Sequence, residues 1–256
     1  MGEVCEHLVE VVCGAAGQGQ GVFEGDMVLS REQELVLERA AITEDGLALD
    51  REPLDSAIVG RNYRWPNNTI PFEFSAEVPA HVAAKVRRVL AVLQAKLDSC
   101  LVFEETSMPA TRVVVVAPEE PFCDSLVGHQ GKGTQALHLG PGCIGAATIH
   151  HEFLHAAGVY HQQSRSDRDK YVQIVWENIK TGQGHNFKKY NTWEANNFGV
   201  PYDSSSVMHY PAYAFGKAFG KTTIKSLDGR KVGGCVGVDC LTPGDVLLVK
   251  RMYKCI

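Results

Sequence analysis

The chain lacks several features that would place it in common classes of protein. Its 256 residues contain no run of eighteen apolar residues, so no segment is expected to span a bilayer. Lys and Arg number 25 against 30 Asp and Glu, a net charge of −5, which offers no basic surface for nucleic acid or membrane. Internal repeats, low-complexity linkers and Cys-x-x-Cys pairs are also absent. The composition therefore indicates a globular chain with one large domain or two lobes.

The beginning of the chain lacks the pattern of a secretory leader. Met1–His7 is acidic where a signal peptide is basic, and Glu10 interrupts the short apolar stretch. Eight cysteines, an even number, and the sequon Asn67–Thr69 instead favour an oxidising compartment. We therefore expect a secreted, extracellular protein whose leader is missing from this sequence, or one that is exported by an unusual route.

The chain does contain a dense set of metal-ligating residues. One eleven-residue stretch reads H-E-x-x-H-x-x-G-x-x-H. His151 and His155 lie one turn apart on a helix, and Glu152 projects beside a metal that they would hold. Gly158 can adopt a positive φ, so the helix can end there and the chain can return His161 as a third ligand. Three protein ligands leave one position open, as catalytic zinc requires.

Two nearby features bear on this interpretation. Met208, in the sequence S-V-M-H-Y about fifty residues downstream, can form an apolar floor beneath the histidines, although alone it would be an ordinary core residue. His150 lies off the face shared by the other histidines and is expected to begin the helix or to support the ligands. H-E-x-x-H alone also occurs on ordinary helices, so the combination of motifs carries the prediction of zinc binding.

Together these motifs resemble the astacin family of zinc endopeptidases, within the metzincin group. Arg165–Asp169 is similar to the family's R-x-D-R-D extension, and Tyr202–Tyr210 is similar to its methionine-containing turn. The resemblance covers residues 56–256 and implies an α+β catalytic domain with two lobes. The N-terminal lobe would hold a twisted mixed β-sheet with two long helices, and the C-terminal lobe would be mostly irregular with a terminal helix.

The resemblance also implies the roles of individual residues. One Zn²⁺ per chain would be held by His151, His155 and His161, with Tyr210 as a further ligand that swings away to stabilise the tetrahedral intermediate. Glu152 would be the general base in hydrolysis of internal peptide bonds, so protein or peptide substrates are the expected partners of a monomeric enzyme. The alternative is a zinc-stabilised, catalytically weak or latent binding module of the same fold. A reprolysin or matrix-type protease is disfavoured by Tyr210 and by the R-x-D-R-D run.

Residues 1–55 differ in composition from the rest and are predicted to form a prosegment. Phe23–Asp26 resembles the F-x-G-D element of astacin prosegments, in which the aspartate ligates zinc in place of the catalytic water. Asp26 is therefore predicted to be a zinc ligand of the latent form. The alternative for these four residues is a solvated Gly-Asp turn.

Two departures from the family pattern concern maturation. Gln162 occupies the position of a family glutamate that anchors the mature amino terminus, so an ion pair with that terminus is lost. Asp55 precedes the expected first residue, Ser56, where trypsin-like activation needs a basic residue. Arg51 is the nearest candidate, with trimming afterwards.

The sequence alone cannot fix the cysteine pairing, because eight cysteines allow 105 connectivities. The resemblance suggests Cys100 with Cys255 and Cys123 with Cys143. Gly-rich spacing suits a local bridge between Cys235 and Cys240, and the two cysteines nearest the amino terminus stay unassigned.

Apolar periodicity predicts strands and helices around these motifs. Residues 131–139 are expected to form an edge strand, which in metzincins pairs with extended substrate. The other predicted elements are strands at 69–74 and 112–116 and helices from Val82 to Cys100, 146–158, 243–255 and 31–39.

Overall fold

The described part of the chain begins upstream of the predicted catalytic domain. The structure is a computed structural model that describes residues 22–34, 57–58, 60–108, 110–190, 196–233, 235 and 239–256. Within these ranges no helix has the length and apolar character needed to cross a membrane. Cys5, Cys13 and the predicted activation junction at 51–56 lie outside them.

A seven-stranded mixed sheet forms the first lobe. Its strands run in the spatial order β1-β2-β6-β7-β5-β3-β4. Neighbours are parallel from β7 through β5 and β3 to β4, whereas β6 is antiparallel to β7. The strands are β1 (Val22–Phe23), β2 (Met27–Val28), β3 (Thr69–Phe74), β4 (Val102–Glu105), β5 (Arg112–Val116), β6 (Cys123–Leu126) and β7 (Thr134–Leu139). The predicted strands at 69–74 and 112–116 are confirmed.

The predicted edge position of residues 131–139 is wrong. The strand, β7, begins at Thr134 and lies between β5 and β6. A disulfide from Cys123 to Cys143 ties the start of β6 to the chain that follows β7, and β6 covers the side of β7 that was expected to be free. Within the predicted catalytic domain the edge is therefore β6, and β2 from the upstream segment pairs with it in parallel.

Two helices pack with the sheet in one hydrophobic core. Helix α1 (Ala80–Lys96) buries its valine and leucine face, and α2 (Ala146–Ala157) is buried along most of its length. Phe153 of α2 meets the rings of Phe72 and Phe103 edge-on at 5.9 and 5.7 Å between centroids. The predicted extension of α1 to Cys100 does not form, because Asp98 and Ser99 take positive φ angles.

The second lobe contains little regular structure, as the resemblance implied. Short 3₁₀ turns link a two-stranded antiparallel sheet of β8 (Val172–Ile174) and β9 (Ile224–Ser226). These strands contribute to a separate apolar cluster that includes Phe187 and Phe215. The final helix, α3 (Pro243–Met252), begins at a Thr242 capping box and ends before the predicted Cys255.

Three disulfides occur in the described residues. They are Cys100–Cys255, Cys123–Cys143 and Cys235–Cys240. The first two match the pairs that the resemblance suggested, and the third is the local bridge that the Gly-rich spacing suited. The first joins the end of the α1 region to the end of the chain, so it ties the first lobe to the terminal helix of the second.

The upstream segment packs directly against the predicted catalytic domain. Met27 and Leu29 are buried in a cluster with Ile58, Val127 and Tyr160. Residues 31–34, within the predicted helix at 31–39, are helical. This packing places residues 22–28 across the end of α2, where the histidine motif lies.

Candidate metal centre

The three motif histidines converge at the end of α2. His151 and His155 lie one turn apart on this helix and are buried. Gly158 ends the helix with φ 103°, a left-handed conformation that favours glycine, and the chain then turns back to bury His161. The Nε2 atom of His151 is 3.0 Å from that of His155 and 3.1 Å from that of His161.

The opposite nitrogen of each ring is held by an acceptor. Nδ1 of His151 donates to the Val207 carbonyl at 2.8 Å, and Nδ1 of His155 donates to the Val159 carbonyl at 2.7 Å. Nδ1 of His161 donates to a carboxylate oxygen of Glu24 at 2.8 Å. These bonds place the proton on Nδ1, so three Nε2 lone pairs point at one another.

Asp26 completes the cluster from the upstream segment. Its carboxylate oxygens lie 3.2 Å from Nε2 of His151, 3.1 Å from Nε2 of His161 and 3.8 Å from Nε2 of His155. Gly25 makes this approach possible, because its φ is 83° and a Cβ there would lie 2.9 Å from the ring of Phe215. The four candidate ligand atoms all lie within 4.8 Å of one another.

This donor set fits a divalent cation. In the tautomer that the Nδ1 hydrogen bonds favour, the Nε2 atoms and the carboxylate face one another with lone pairs, and the buried Oδ1 of Asp26 has no hydrogen-bond partner. A shared cation relieves that repulsion, and a nitrogen-rich set with one carboxylate suits zinc in four-coordinate geometry.

Glu152 lies in the same buried region. Its side chain is 1% exposed, and its Oε2 atom has no hydrogen-bond partner. Burial raises the pKa of this carboxyl well above its ordinary value, and the nearby Asp26 carboxylate raises it further. A buried carboxyl group with a raised pKa is suited to accept and return a proton.

Tyr210 faces the upstream segment. Its hydroxyl donates to the backbone carbonyl of Glu24, and its ring centroid is 4.7 Å from that of His161. Its backbone N–H donates to the side chain of Gln163 at 3.0 Å. The predicted role of Tyr210 as a metal ligand and oxyanion partner stays a prediction for the form without the upstream segment.

Glu24 contributes to the metal centre, although the sequence did not predict it. The side chain is fully buried, and its carboxylate accepts hydrogen bonds from His161, from the Ser164 hydroxyl at 2.6 Å and from the Tyr190 hydroxyl at 2.6 Å. It occupies the unspecified position of F-x-G-D, so the motif carried no information about it. Its partners lie 137 to 166 residues away in the sequence.

The methionine turn lies beside the third histidine. Met208 is fully buried, and its carbonyl accepts the backbone N–H of Gln162 at 2.9 Å. This contact joins the turn to the residue after His161. Met208 thus occupies the buried position that was expected from the motif.

The residues after His161 have structural contacts. Arg165 is buried, and it donates to both oxygens of Asp167 at 2.8 Å and to the Gln162 side chain at 3.4 Å. The predicted start of the catalytic domain docks nearby through its backbone, since Ala57 pairs with Val159. Ser56 lies outside the described residues, so the consequence of Gln162 for a mature amino terminus stays a prediction.

His150 does not join the cluster. It is fully buried, and burial lowers its pKa to about 4. The side chain is therefore neutral at physiological pH.

Comparisons with known proteins agree with this geometry. Residues 57–254 match the model of the Astacin family, a family of peptidases. The chain is 36% identical to human meprin A subunit beta over 213 residues, which is 83% of this chain and 29% of that protein. It is 32% identical to the Caenorhabditis elegans zinc metalloproteinase nas-4 over 233 residues, which is 91% of this chain and 69% of that protein.

A solved structure shows the same fold. The chain resembles high choriolytic enzyme 1, a hatching enzyme zinc-protease of the medaka fish Oryzias latipes, with a TM-score of 0.66 and 31% identity. The match covers 75% of this chain and 94% of that one. The chain thus spans nearly all of this structure but less than a third of human meprin A subunit beta.

Proposed function

The chain belongs to the astacin family of zinc metallopeptidases, and from that premise we propose that it is a secreted endopeptidase made in a latent form. The observation that carries the proposal is the convergence of three imidazole Nε2 atoms beside the buried carboxyl group of Glu152. We assign His151, His155 and His161 as the zinc ligands. Bound zinc supplies Lewis acidity, both towards water and towards a peptide carbonyl.

The protein's own groups account for the proton transfers. Glu152 accepts the proton of the attacking water and returns it to the leaving amine, which its buried position and raised pKa favour. Tyr210 donates a hydrogen bond to the oxyanion once its hydroxyl leaves the carbonyl of Glu24. The product is two peptides cut at an internal bond.

Latency is assigned to residues 1–55, with residues 56–256 as the catalytic domain. Asp26 takes the position that a catalytic water needs, because its carboxylate faces all three histidines. Glu24 adds two further restraints, since its side chain holds His161 and its backbone holds Tyr210. Four assigned groups, the three histidines and Tyr210, are therefore engaged by two residues of the proposed prosegment.

The substrate is assigned to the edge of β6 that faces away from β7. In the described arrangement β2 already pairs there, at Ser125 and Leu126. An extended peptide could replace β2 by the same backbone hydrogen bonds. Removal of the prosegment would therefore open the metal site and the strand edge together.

Secretion is proposed from the redox chemistry of the chain. Three disulfides in the described residues are characteristic of oxidising compartments. A monomer is the proposed state, since one chain supplies every assigned ligand.

The test compares the full chain before and after limited proteolysis of its first 55 residues. We expect internal cleavage of a mixed peptide library after proteolysis, its loss on addition of a zinc chelator, and its return with added zinc. Without proteolysis the Asp26→Ala chain should show only partial activity, because Glu24 still holds Tyr210 and β2 still covers the edge of β6. The unprocessed Asp124→Ala chain, which lacks a buried aspartate that is not among the assigned ligands, should show none.

Absence of cleavage from the folded, zinc-loaded and processed chain would contradict the proposal. That result would favour the zinc-stabilised binding module instead. Cleavage that persists in the chelator would exclude zinc as the resident metal.

A further inference from the structure

Asp245 lies at a helix-capping position, where a surface location would be ordinary. It is the third residue of α3, where its backbone N–H donates to the Thr242 hydroxyl at 3.1 Å and its Oδ2 atom accepts the Thr242 backbone N–H at 3.0 Å. Such a capping box satisfies backbone donors at a helix start and usually lies at the surface. Asp245 is instead 3% exposed. Burial of a carboxylate is costly unless other donors surround it.

The additional donors come from the methionine turn, 38 and 39 residues earlier in the chain. Oδ1 of Asp245 accepts the Ser206 hydroxyl at 2.5 Å, and Oδ2 accepts the Val207 backbone N–H at 3.2 Å. Ser206 in turn accepts the Met208 backbone N–H at 3.0 Å. Both oxygens of the carboxylate therefore hold the turn, and Oδ2 also holds the start of the helix.

Val207 connects this carboxylate to the metal centre. Its N–H is held by Asp245, and its carbonyl accepts Nδ1–H of His151 at 2.8 Å. The position of that carbonyl sets the direction in which the His151 ring presents Nε2. Groups that orient the far nitrogen of a ligating histidine affect metal affinity by about 10- to 100-fold.

We propose that Asp245 is a positioning residue for the metal ligand His151, acting through Val207. The terminal helix thereby contributes to the metal centre although none of its side chains reaches it. A planar side chain with two polar atoms is the property required, because one atom must bond to Ser206 while the other accepts from two backbone N–H donors.

The test measures zinc affinity in the full chain by competition with a chromophoric chelator. Asp245→Ala should weaken zinc binding by about tenfold, the lower end of the range for groups that orient a ligating histidine directly. Thr242→Ala is the matched control, because it breaks the capping box and leaves the contacts of Asp245 with Ser206 and Val207. It should lower the melting temperature of the zinc-free chain and leave zinc affinity within about twofold of wild type.

Asp245→Asn shows whether zinc affinity depends on the hydrogen bonds of Asp245 or on its negative charge. The amide oxygen can still accept from Val207 and Thr242, and the amide nitrogen can donate to Ser206, whose hydroxyl rotates. Zinc affinity should therefore return close to the wild-type value. If Asp245→Asn binds zinc as weakly as Asp245→Ala, the proposal fails.

Two further outcomes decide the proposal. Equal zinc affinity of Asp245→Ala and wild type would overturn it, as would a loss that Thr242→Ala matches. If Asp245→Ala does not fold, Ser206→Ala removes one bond between the carboxylate and the turn, and it should weaken zinc binding about threefold while Thr242→Ala does not.

Discussion

At the scale of single residues, Glu152 has the most direct role in the proposed chemistry. Glu152→Gln keeps the size of the side chain and removes its basicity, so kcat/KM of the processed chain should fall by about 100-fold or more. Zinc content, measured by atomic emission, should stay at one per chain. Glu105→Gln, at an exposed glutamate of β4, is the control and should retain full activity. Normal turnover by Glu152→Gln would exclude this residue as the base.

We predict that Glu24 helps to hold the upstream segment on the metal centre and so slows activation by an added protease. Glu24→Ala leaves His161, Ser164 and Tyr190 without their shared acceptor, at a cost of about 1–3 kcal/mol for each buried donor. The rate at which an added protease releases activity should therefore rise.

Glu32→Ala provides the control for that experiment. Glu32 lies in the same segment and is exposed, so its loss should leave the rate of activation unchanged. Equal acceleration by both variants would show that the effect comes from loss of charge in the segment and not from the buried contacts.

The sequence predicted the residues whose roles depend on local spacing. His151, His155 and Glu152 share one helix, so a fixed separation placed them together. Glu24 and Asp245 escaped prediction because their partners lie far away in the chain and their own neighbours form no diagnostic pattern.

At the scale of elements, the end of α2 depends on Gly158. A Cβ at this position would lie 3.0 Å from Ile58 and 3.3 Å from the Arg64 guanidinium, with φ at 103°. Gly158→Ala should lower the free energy of unfolding by more than the roughly 1–2 kcal/mol that a left-handed backbone alone costs. Zinc affinity should fall as well, because the turn that returns His161 starts there.

Gly182→Ala measures how much stability is lost through backbone strain alone. Gly182 has φ 84°, and a Cβ there would have no atom within 4 Å. Denaturant unfolding and chelator competition on both variants would separate crowding from backbone strain. Equal losses of stability, with zinc affinity intact in both, would contradict the role of Gly158.

The error in the sheet arose at β6. Its sequence, Cys-Asp-Ser-Leu, lacks an apolar alternation, so periodicity gave no reason to place a strand there. The valine run of β5 and the longer apolar pattern of β7 were strong enough to predict strands. Strand order, however, depends on pairing between distant segments. The sequence of β7 alone could not show that β6 pairs with it.

At the scale of the whole molecule, the disulfide between Cys100 and Cys255 joins residues 155 positions apart. In the chain-entropy treatment, closing such a loop stabilises the folded state by about 5 kcal/mol, against about 2 kcal/mol for Cys235–Cys240 with its separation of 5. Replacing both cysteines of the first bridge with serine should therefore lower the melting temperature by about 10 °C or more.

The bridge between Cys235 and Cys240 serves as the control for this prediction. Its removal should lower the melting temperature by about 5 °C. Calorimetry on the two double variants would measure the difference. A larger loss for the short bridge would contradict the expected dependence on loop length.

The broad architecture followed from the sequence because the histidine motif and the methionine turn both belong to one family. The two lobes, the two long helices of the first lobe and the terminal helix all appear as predicted. The position of the upstream segment across the site was predicted only through Asp26, since strands of two residues are too short for a periodic pattern.

The four-donor arrangement around Asp26 also bears on how the protein keeps its metal. Exchange of zinc with a competing chelator normally begins when an incoming donor enters an open coordination position. A site closed by three imidazoles and a carboxylate gives such a donor no place to start. With Asp26 in place, the chain would therefore exchange its ion slowly in compartments where other proteins compete for scarce zinc. The upstream segment that carries Asp26 would thus also slow the loss of the ion from the site.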